Sequence, residues 1–353
     1  MLRTARTLVF YPDTTHGLVA HNYLQTKKFG CNVDTLRFMM SMNDWHETGE
    51  IATTLGVPDD DTLSIKLSNL VSVGCLIEQE SDAENRERQH HDEWRWGVPT
   101  ALYHASLVDR PIVSVEEALQ YQRDKLRNDQ TQPASIFDEL RFYDVDRVEL
   151  PEKMLDAPLQ DTINRRRTMR DPGAEPVTLA ELGACLNNAL GVQAIDTNEA
   201  GAPIVFKPTP SGGAKNPFDA FVLNRRVEGL PEGVWAYDPH ERALVQTGHN
   251  VPDFGEFLNG QDWPENMDAL IVLQANFQRT MWKYDDANAY RVVLIEAGHI
   301  GQNIMLAATA CGLSACPSAA INVNLATEEL FNCDPIMSPP IYALGLVRPK
   351  PGH

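Results

Sequence analysis

The stretch Glu296-Ala-Gly-His-Ile-Gly-Gln-Asn303 sets four polar side chains inside a run, from Tyr290 to about Gly312, that is otherwise mostly Val, Leu, Ile, Ala and Met. Such a run predicts a long buried helix of about 30 Å, enough to cross a small domain. His299, Gln302, Asn303 and Leu306 fall at i, i+3, i+4 and i+7 and so share one face, with Glu296 one turn earlier. Buried polar groups cost free energy unless they are hydrogen-bonded. The stripe therefore predicts one of two things, an internal polar network or a polar ligand, and the helix alone does not decide between them.

Moving outward, two other segments carry chemistry. Arg165-Arg-Arg-Thr-Met-Arg170 gathers four guanidinium groups and a hydroxyl just before a helical pattern at Thr178–Leu190. Arginine forks match phosphate oxygens in pairs, so this is an anion clamp in the making. Pro208-Thr-Pro-Ser-Gly-Gly-Ala-Lys-Asn-Pro217 is a turn-rich loop whose glycines let backbone approach a flat ligand, followed by the strand-like Phe218-Asp-Ala-Phe-Val-Leu223. Its spacing is that of neither a phosphate loop nor a dinucleotide fingerprint. Val234-Trp-Ala-Tyr-Asp-Pro-His240 reads as a strand entering a turn.

Residues from about 160 to 350 resemble the nitroreductase-like flavoproteins, and within them the SagB-type dehydrogenases, whose azoline-oxidising members convert thiazolines and oxazolines of modified peptides to thiazoles and oxazoles. The resemblance is an ordered set: Arg166-Arg-Thr-Met-Arg170, Pro210-Ser-Gly-Gly-Ala214, Gly233-Val-Trp-Ala-Tyr-Asp-Pro239, Tyr290-Arg291, Glu296 to Asn303, Gly312-Leu313 and Tyr342-Ala-Leu-Gly-Leu-Val-Arg348. It implies an α+β fold, a mainly antiparallel central sheet wrapped by helices, working as a homodimer with FMN in each of two interface sites. Position by position it implies that Arg166 and Thr168 face the ribityl phosphate, Arg170 the pyrimidine edge, and Arg348 the phosphate again. It implies that Pro210, Ser211, Gly212 and Gly213 lie along the ring system, and that Glu296, His299, Gln302 and Asn303 belong to the helix beneath the cofactor. The azoline oxidases carry a Lys-Tyr pair after the glycines, and this chain departs from them with Lys215-Asn216. Lys215 remains a candidate base, provided burial or a neighbouring cation lowers its pKa from about 10.4. The departure leaves the substrate open between an azoline-like ring and another C–N or C–C bond, on a peptide or a carrier-bound intermediate. It also keeps open an NAD(P)H-dependent reductase and an inactive flavin-fold scaffold.

The remainder frames this region. Residues 1–80 read as a winged-helix-like module: helices at Val33–Met42, Thr48–Leu55 with a Thr cap, and Asp61–Leu70, then a glycine turn and a strand toward Ile77. Asp59, Asp60 and Asp61 stand where a nucleic-acid-binding helix would carry positive charge. Peptide clamping or dimer building fits that charge better. Residues 81–158 read as an exposed polar linker, Ser81 to Asp92, and a helical arm reaching about Leu140, and 159–353 as the flavin domain. His90 and His91 lack the carboxylate or cysteine spacing of a metal site, and no metal is expected. With 353 residues, 43% hydrophobic content and a formal net charge of −19, the chain is globular and a poor partner for nucleic acid or anionic membrane. Its six cysteines show no framework spacing. The N-terminal apolar run is too short for a signal peptide, and no stretch reads as a membrane span. A cytoplasmic location is expected.

Overall fold

The computed structural model describes residues 1–108, 114–128, 145–331 and 333–350. The part of the helical arm expected at 109–113 and at 129–140 lies outside these. The chain divides into two compact units, Met1–Ile112 and Val113–His353.

The first unit begins with strands the sequence reading had not placed. β1 (Leu2–Thr4) is followed by an antiparallel meander of β2 (Leu8–Asp13), β3 (Gly17–Asn22) and β4 (Lys27–Cys31). The three expected helices follow as α1 (Val33–Ser41), α2 (Thr48–Leu55) and α3 (Asp61–Ser72). Each starts on a cap: Asn32 accepts from the Thr35 amide, Asp60 from that of Leu63, and Glu47, rather than Thr48, forms a capping box with Glu50. The strand expected after the glycine turn is β5 (Leu76–Glu78), and it pairs antiparallel with β1. Met39, Met42, Ile51, Leu63, Leu67 and Leu76 form the core.

The stretch from Ser81 to Asp92, expected as a linker, is the helix α4 (Asp82–Glu93). Its composition is polar on all sides, which hides the period, but Ser81 caps it and Arg88–Asn85 and Gln89–Glu93 contacts lace it. Its one buried residue, Glu87, pairs with Arg3 at 2.7 Å. His90 stacks on Trp94 and lies 3.4 Å from the Tyr23 hydroxyl. α5 (Gly97–Ala105) completes the unit.

The second unit is built on a seven-stranded sheet. Its strands are β6 (Arg147–Glu149), β9 (Phe218–Asn224), β10 (Gly233–Asp238), β11 (Ala243–Gln246), β12 (Ala269–Ala275), β13 (Ser314–Ser318) and β14 (Pro340–Val347). The order is β13-β14-β12-β9-β10-β11-β6, and every neighbouring pair is antiparallel. β9 and β12 lie in the middle, and every residue of both is buried. Alternation divides them between two cores: Val222, Ile271 and Leu273 face one side, Phe221, Leu223, Leu270 and Val272 the other. This explains why they read as continuous apolar runs.

One face is covered by α8 (Leu179–Leu190), capped by Thr178 in a box with Glu181, and by the 23-residue α11 (Asn288–Ala310). The other face carries α9 (Phe254–Phe257) and the π-helical turn Leu325–Phe331. α6 (Val115–Arg127), α7 (Leu159–Arg165), α10 (Phe277–Met281) and the hairpin of β7 (Ala194–Thr197) with β8 (Pro203–Phe206) complete the unit. Against expectation, α11 is long and apolar enough to cross a membrane. Here it is the core helix, seated on β13, β14 and α8.

Candidate active site

The helix that opened the sequence reading turns out to be amphipathic rather than buried all round. Glu296 is buried and Asn303 half-buried on the inner side, whereas His299 and Gln302 are exposed beside Leu294 and Ile295. A stripe at i, i+3, i+4 and i+7 spans enough of the circumference to run from core to surface, so the four polar residues serve two environments. Asn303 donates to the Thr209 hydroxyl at 2.8 Å, and Thr209 in turn donates to the Ala189 carbonyl on α8. Glu296 accepts from the Gly212 amide at 3.2 Å and from the Ser211 side chain. The inner half of the stripe thus ties α11 to the glycine loop.

That loop is a short 3-10 turn at Gly212–Ala214, pinned from several sides. The Ser211 hydroxyl accepts from the Asn216 amide at 2.8 Å, and the Asn216 side chain donates to the carbonyls of Val205 and Ala214. Asn216 itself takes a left-handed conformation, φ 47°. Its carbonyl accepts from Arg279, which is locked to Asp219 in a buried ion pair of 2.6 Å. Asn216, expected beside the base as a catalytic group, has both amide hydrogens committed to holding the loop.

Lys215 sits within this frame, only 2% exposed, its Nζ 4.8 Å from the centre of the Trp282 ring. Burial, then the charge of Lys283, lower its amine to about 8. Glu296 shifts the other way: burial raises its carboxyl to about 7, against the hydrogen bonds from Ser211 and Gly212 and the charge of Lys207. Lys207 was not singled out in the sequence. Burial lowers its amine to about 8, against Asp219, and it packs together with Thr209, Asn216 and Glu296. Its signal was faint, one lysine in the strand-to-loop segment before Pro208.

The arginine segment lies elsewhere on the unit. Arg166 ends α7, Arg166 and Thr168 are half-buried, and Arg170 is exposed, with its guanidinium 5.2 Å from the Trp263 ring. The Met169 amide donates to the Ser314 hydroxyl at 2.8 Å, and the Gly173 amide to the Arg348 carbonyl at 2.7 Å. Ser314 opposes Val347 across the sheet, so the 166–173 segment runs beside the end of β14. Arg166, Thr168, Arg170 and Arg348 therefore share one neighbourhood. Arg348 is not a bare anion donor there: its guanidinium donates to Glu181 at 2.6 Å. Its buried Nε makes no hydrogen bond, its carboxylate neighbour Glu175 lying 3.9 Å off. That orphaned donor, with half-buried Arg166 and Thr168 at hand, fits one more acceptor such as a phosphate oxygen.

These two neighbourhoods contact opposite halves of α11. Val292 and Glu296 meet the glycine loop, while Asn303, Leu306, Ala307 and Ala310 line a groove of about 310 Å³ with Leu159 and Thr162 of α7 and with Pro208, at the start of the loop segment. At 1.5 Å per residue, Val292 and Leu306 are about 20 Å apart along the helix. Among the described residues no group of three or more His, Cys, Asp or Glu side chains is placed to hold a metal ion.

The profile of the nitroreductase family matches residues 163–346. A protein of Methanocaldococcus jannaschii described as a nitroreductase, MJ1384, is 32% identical over 188 residues, which is 52% of this chain and 88% of that protein. The trifolitoxin-processing protein TfxB of Rhizobium leguminosarum bv. trifolii is 24% identical over 153 residues, covering 42% of this chain and 41% of its own length. A crystal structure assigned as a nitroreductase, from Ralstonia eutropha, overlays with a TM-score of 0.46 at 23% identity, covering 62% of this chain and 94% of that one.

Proposed function

Because the chain belongs to the nitroreductase family, we propose that residues 159–353 form an FMN-dependent oxidase that dehydrogenates a ring or C–N bond of a peptide or carrier-bound intermediate. The observation that carries this reading is Lys215: a buried amine, lowered to about 8, on a glycine loop braced by the central helix. An amine so lowered is present in its neutral, proton-accepting form in a far larger fraction near pH 7 than an ordinary lysine, and proton transfer by a placed side chain contributes roughly 10²–10⁴ in rate. Bound FMN would supply a two-electron acceptor that oxygen regenerates, yielding hydrogen peroxide. The chain's own contribution is proton removal at the substrate carbon by Lys215, and loop rigidity from Ser211, Asn216 and Arg279. Arg166, Thr168, Arg170 and Arg348 would hold the phosphate end. TfxB, named for trifolitoxin processing, supports placing the substrate among peptide-derived natural products. The absence of a tyrosine after Lys215 leaves the azoline only one such substrate.

The reading includes a homodimer. The loop and the arginine segment lie toward opposite halves of α11, and Leu294 and Ile295 are 39% and 51% exposed on the same turns of the helix as Val292 and Glu296, which meet the loop. A second copy packed on that face would bring its loop toward the first copy's arginines, completing a site that one chain leaves divided. The first unit would hold the peptide or carrier partner. A cytoplasmic location is part of the proposal, supported by six cysteines of which none is joined in a disulfide.

The deciding experiment is aerobic turnover of candidate peptides with peroxide detection in the wild type and Lys215→Ala. The expected result is a variant that keeps its yellow colour and loses at least about 100-fold in kcat. Full activity in that variant would remove Lys215 from the mechanism. MJ1384 favours a second reading, an NAD(P)H-dependent reductase. Rapid anaerobic bleaching of the protein by NADPH would select it.

A further inference from the structure

Lys215 is placed as a base but covered as a core residue. It is 2% exposed with its amine against the Trp282 indole, whereas a general base must come within about 2.6–3.2 Å of the proton it removes. Trp282 is itself buried, so what covers it bears on access to Lys215. That cover includes α6. Trp282 follows the short helix α10, and a carbonyl at a helix end has no partner within the helix. The Lys125 ammonium of α6 supplies one: it donates to the Trp282 carbonyl at 2.6 Å, with its Nζ 5.9 Å from the centre of the same indole. One turn earlier on α6, the Gln122 side chain accepts from the Asn198 side chain at 3.0 Å, in the turn between β7 and β8. The Asn198 oxygen accepts from the Ala200 and Ala202 amides and so holds that turn. α6 thus bridges the hairpin and the Trp282 corner.

α6 holds its own shape but is lightly seated. Ser114 and Glu117 form a capping box at its start, and the pairs Gln120–Asp124, Arg123–Glu116 and Arg127–Asp124 lace its surface. Its single buried residue is polar, Gln122. Leu119 and Leu126 are only half-buried, and no residue of α6 belongs to either apolar core of the sheet. Polar contacts exchange for water at small net cost, whereas apolar area does not. A self-capped helix docked in this way is an element that opens locally while the core stays folded.

We propose that α6 is a lid over the candidate active site with Lys125 as its latch: release of the Lys125–Trp282 contact frees the indole and uncovers the Lys215 amine for a substrate. The inference rests on the reading of Lys215 as the base, which gives the uncovering its purpose. It gives the helical arm before the flavin domain a part in admitting the substrate.

The test is pulsed acetylation of the full chain with sulfosuccinimidyl acetate, the rate at Lys215 being read by peptide mass spectrometry and scaled to that of the exposed Lys66. Lys125→Met keeps the stem and removes the donor. It is expected to speed labelling of Lys215 about tenfold, the gain in open population when one charge-assisted hydrogen bond is lost. Lys125→Arg restores a donor and should bring the rate most of the way back. Gln122→Ala releases α6 from the hairpin and should speed Lys215 as well. Thiol labelling of Cys185, which is fully buried on α8, reports opening of the whole core and should not change. Wild-type labelling of Lys215 in both Lys125→Met and Gln122→Ala overturns the lid, and so does a rise at Cys185 that matches the rise at Lys215. Labelling needs no substrate or turnover, so this failure is distinct from that of the proposed function, which falls if Lys215→Ala keeps full activity.

Discussion

Glu296 shows how a single residue can be read for its type and missed for its surroundings. Its place in a polar stripe predicted a partner, and the partner is the loop: the Gly212 amide and the Ser211 hydroxyl. Burial lifts its carboxyl from an ordinary 4.5 to about 7. A raised carboxyl binds more protons folded than unfolded between those two values, so its contribution to stability falls as pH climbs through that window. Glu296→Gln keeps an oxygen for Gly212 and removes the titration. Its thermal midpoint relative to wild type is therefore expected to improve on going from pH 5 to pH 8, measured by calorimetry in matched buffers. An unchanged difference across that range would show that Glu296 carries no raised pKa. His299 and Gln302, by contrast, were assigned to the same face by spacing alone. What places them outside is the packing of α11 on the sheet, which no single helical period reveals.

At the scale of elements, legibility followed the strength of local signals. α2 and α8 were read within a residue or two from their sequence pattern, although the cap of α2 is Glu47 with Glu50 rather than the expected Thr48. The β2–β4 meander was missed because its outer strands β2 and β4 are largely half-buried or exposed and its turns, Thr14–His16 and Tyr23–Thr26, lack a strong two-residue hairpin signature. α4 was taken for a linker because its stability comes from a cap and side-chain pairs rather than from an apolar face. The glycine loop and arginine segment were legible as chemistry, but not their separation along α11, which depends on tertiary contacts. How α11 meets β14 is a further tertiary fact, visible at Gly301, where a β-carbon would overlap the Tyr342 ring. Glycine to alanine inside a helix ordinarily stabilises by about 1 kcal/mol. Here the sign should reverse, with Gly301→Ala costing about 1–3 kcal/mol by forcing ring and helix apart. Urea unfolding with an unchanged m-value would measure it, and Gly301→Ala combined with Tyr342→Leu should recover most of the loss. Stabilisation in the single variant would mean that the helix does not sit this close to β14.

At the scale of the whole molecule, the second unit has its two cores filled and, among the described residues, leaves Leu294 and Ile295 of α11 exposed. Burial of β9 and β12 on both sides accounts for the sheet, and α8 and α11 cover one face of it. Leu294 and Ile295 are left pointing away from that core, on the turns of α11 whose inner side meets the glycine loop. Burying each would contribute roughly 1.5–3 kcal/mol per copy, and a two-fold axis near the helix would bury both pairs at once. A glutamate at position 295 would then face apolar surface or its symmetry mate, where an unpaired charge is strongly disfavoured. Ile295→Glu is therefore expected to sediment as a folded monomer, with wild-type secondary structure by circular dichroism, while the wild type sediments as a dimer. If each flavin site needs the loop of one copy and the arginines of the other, the same variant should also lose bound FMN, read as loss of yellow colour after desalting. A monomer that keeps stoichiometric FMN would place the whole site within one chain. A variant that remains dimeric would move the interface off α11, and the division between loop and arginines would then need another explanation.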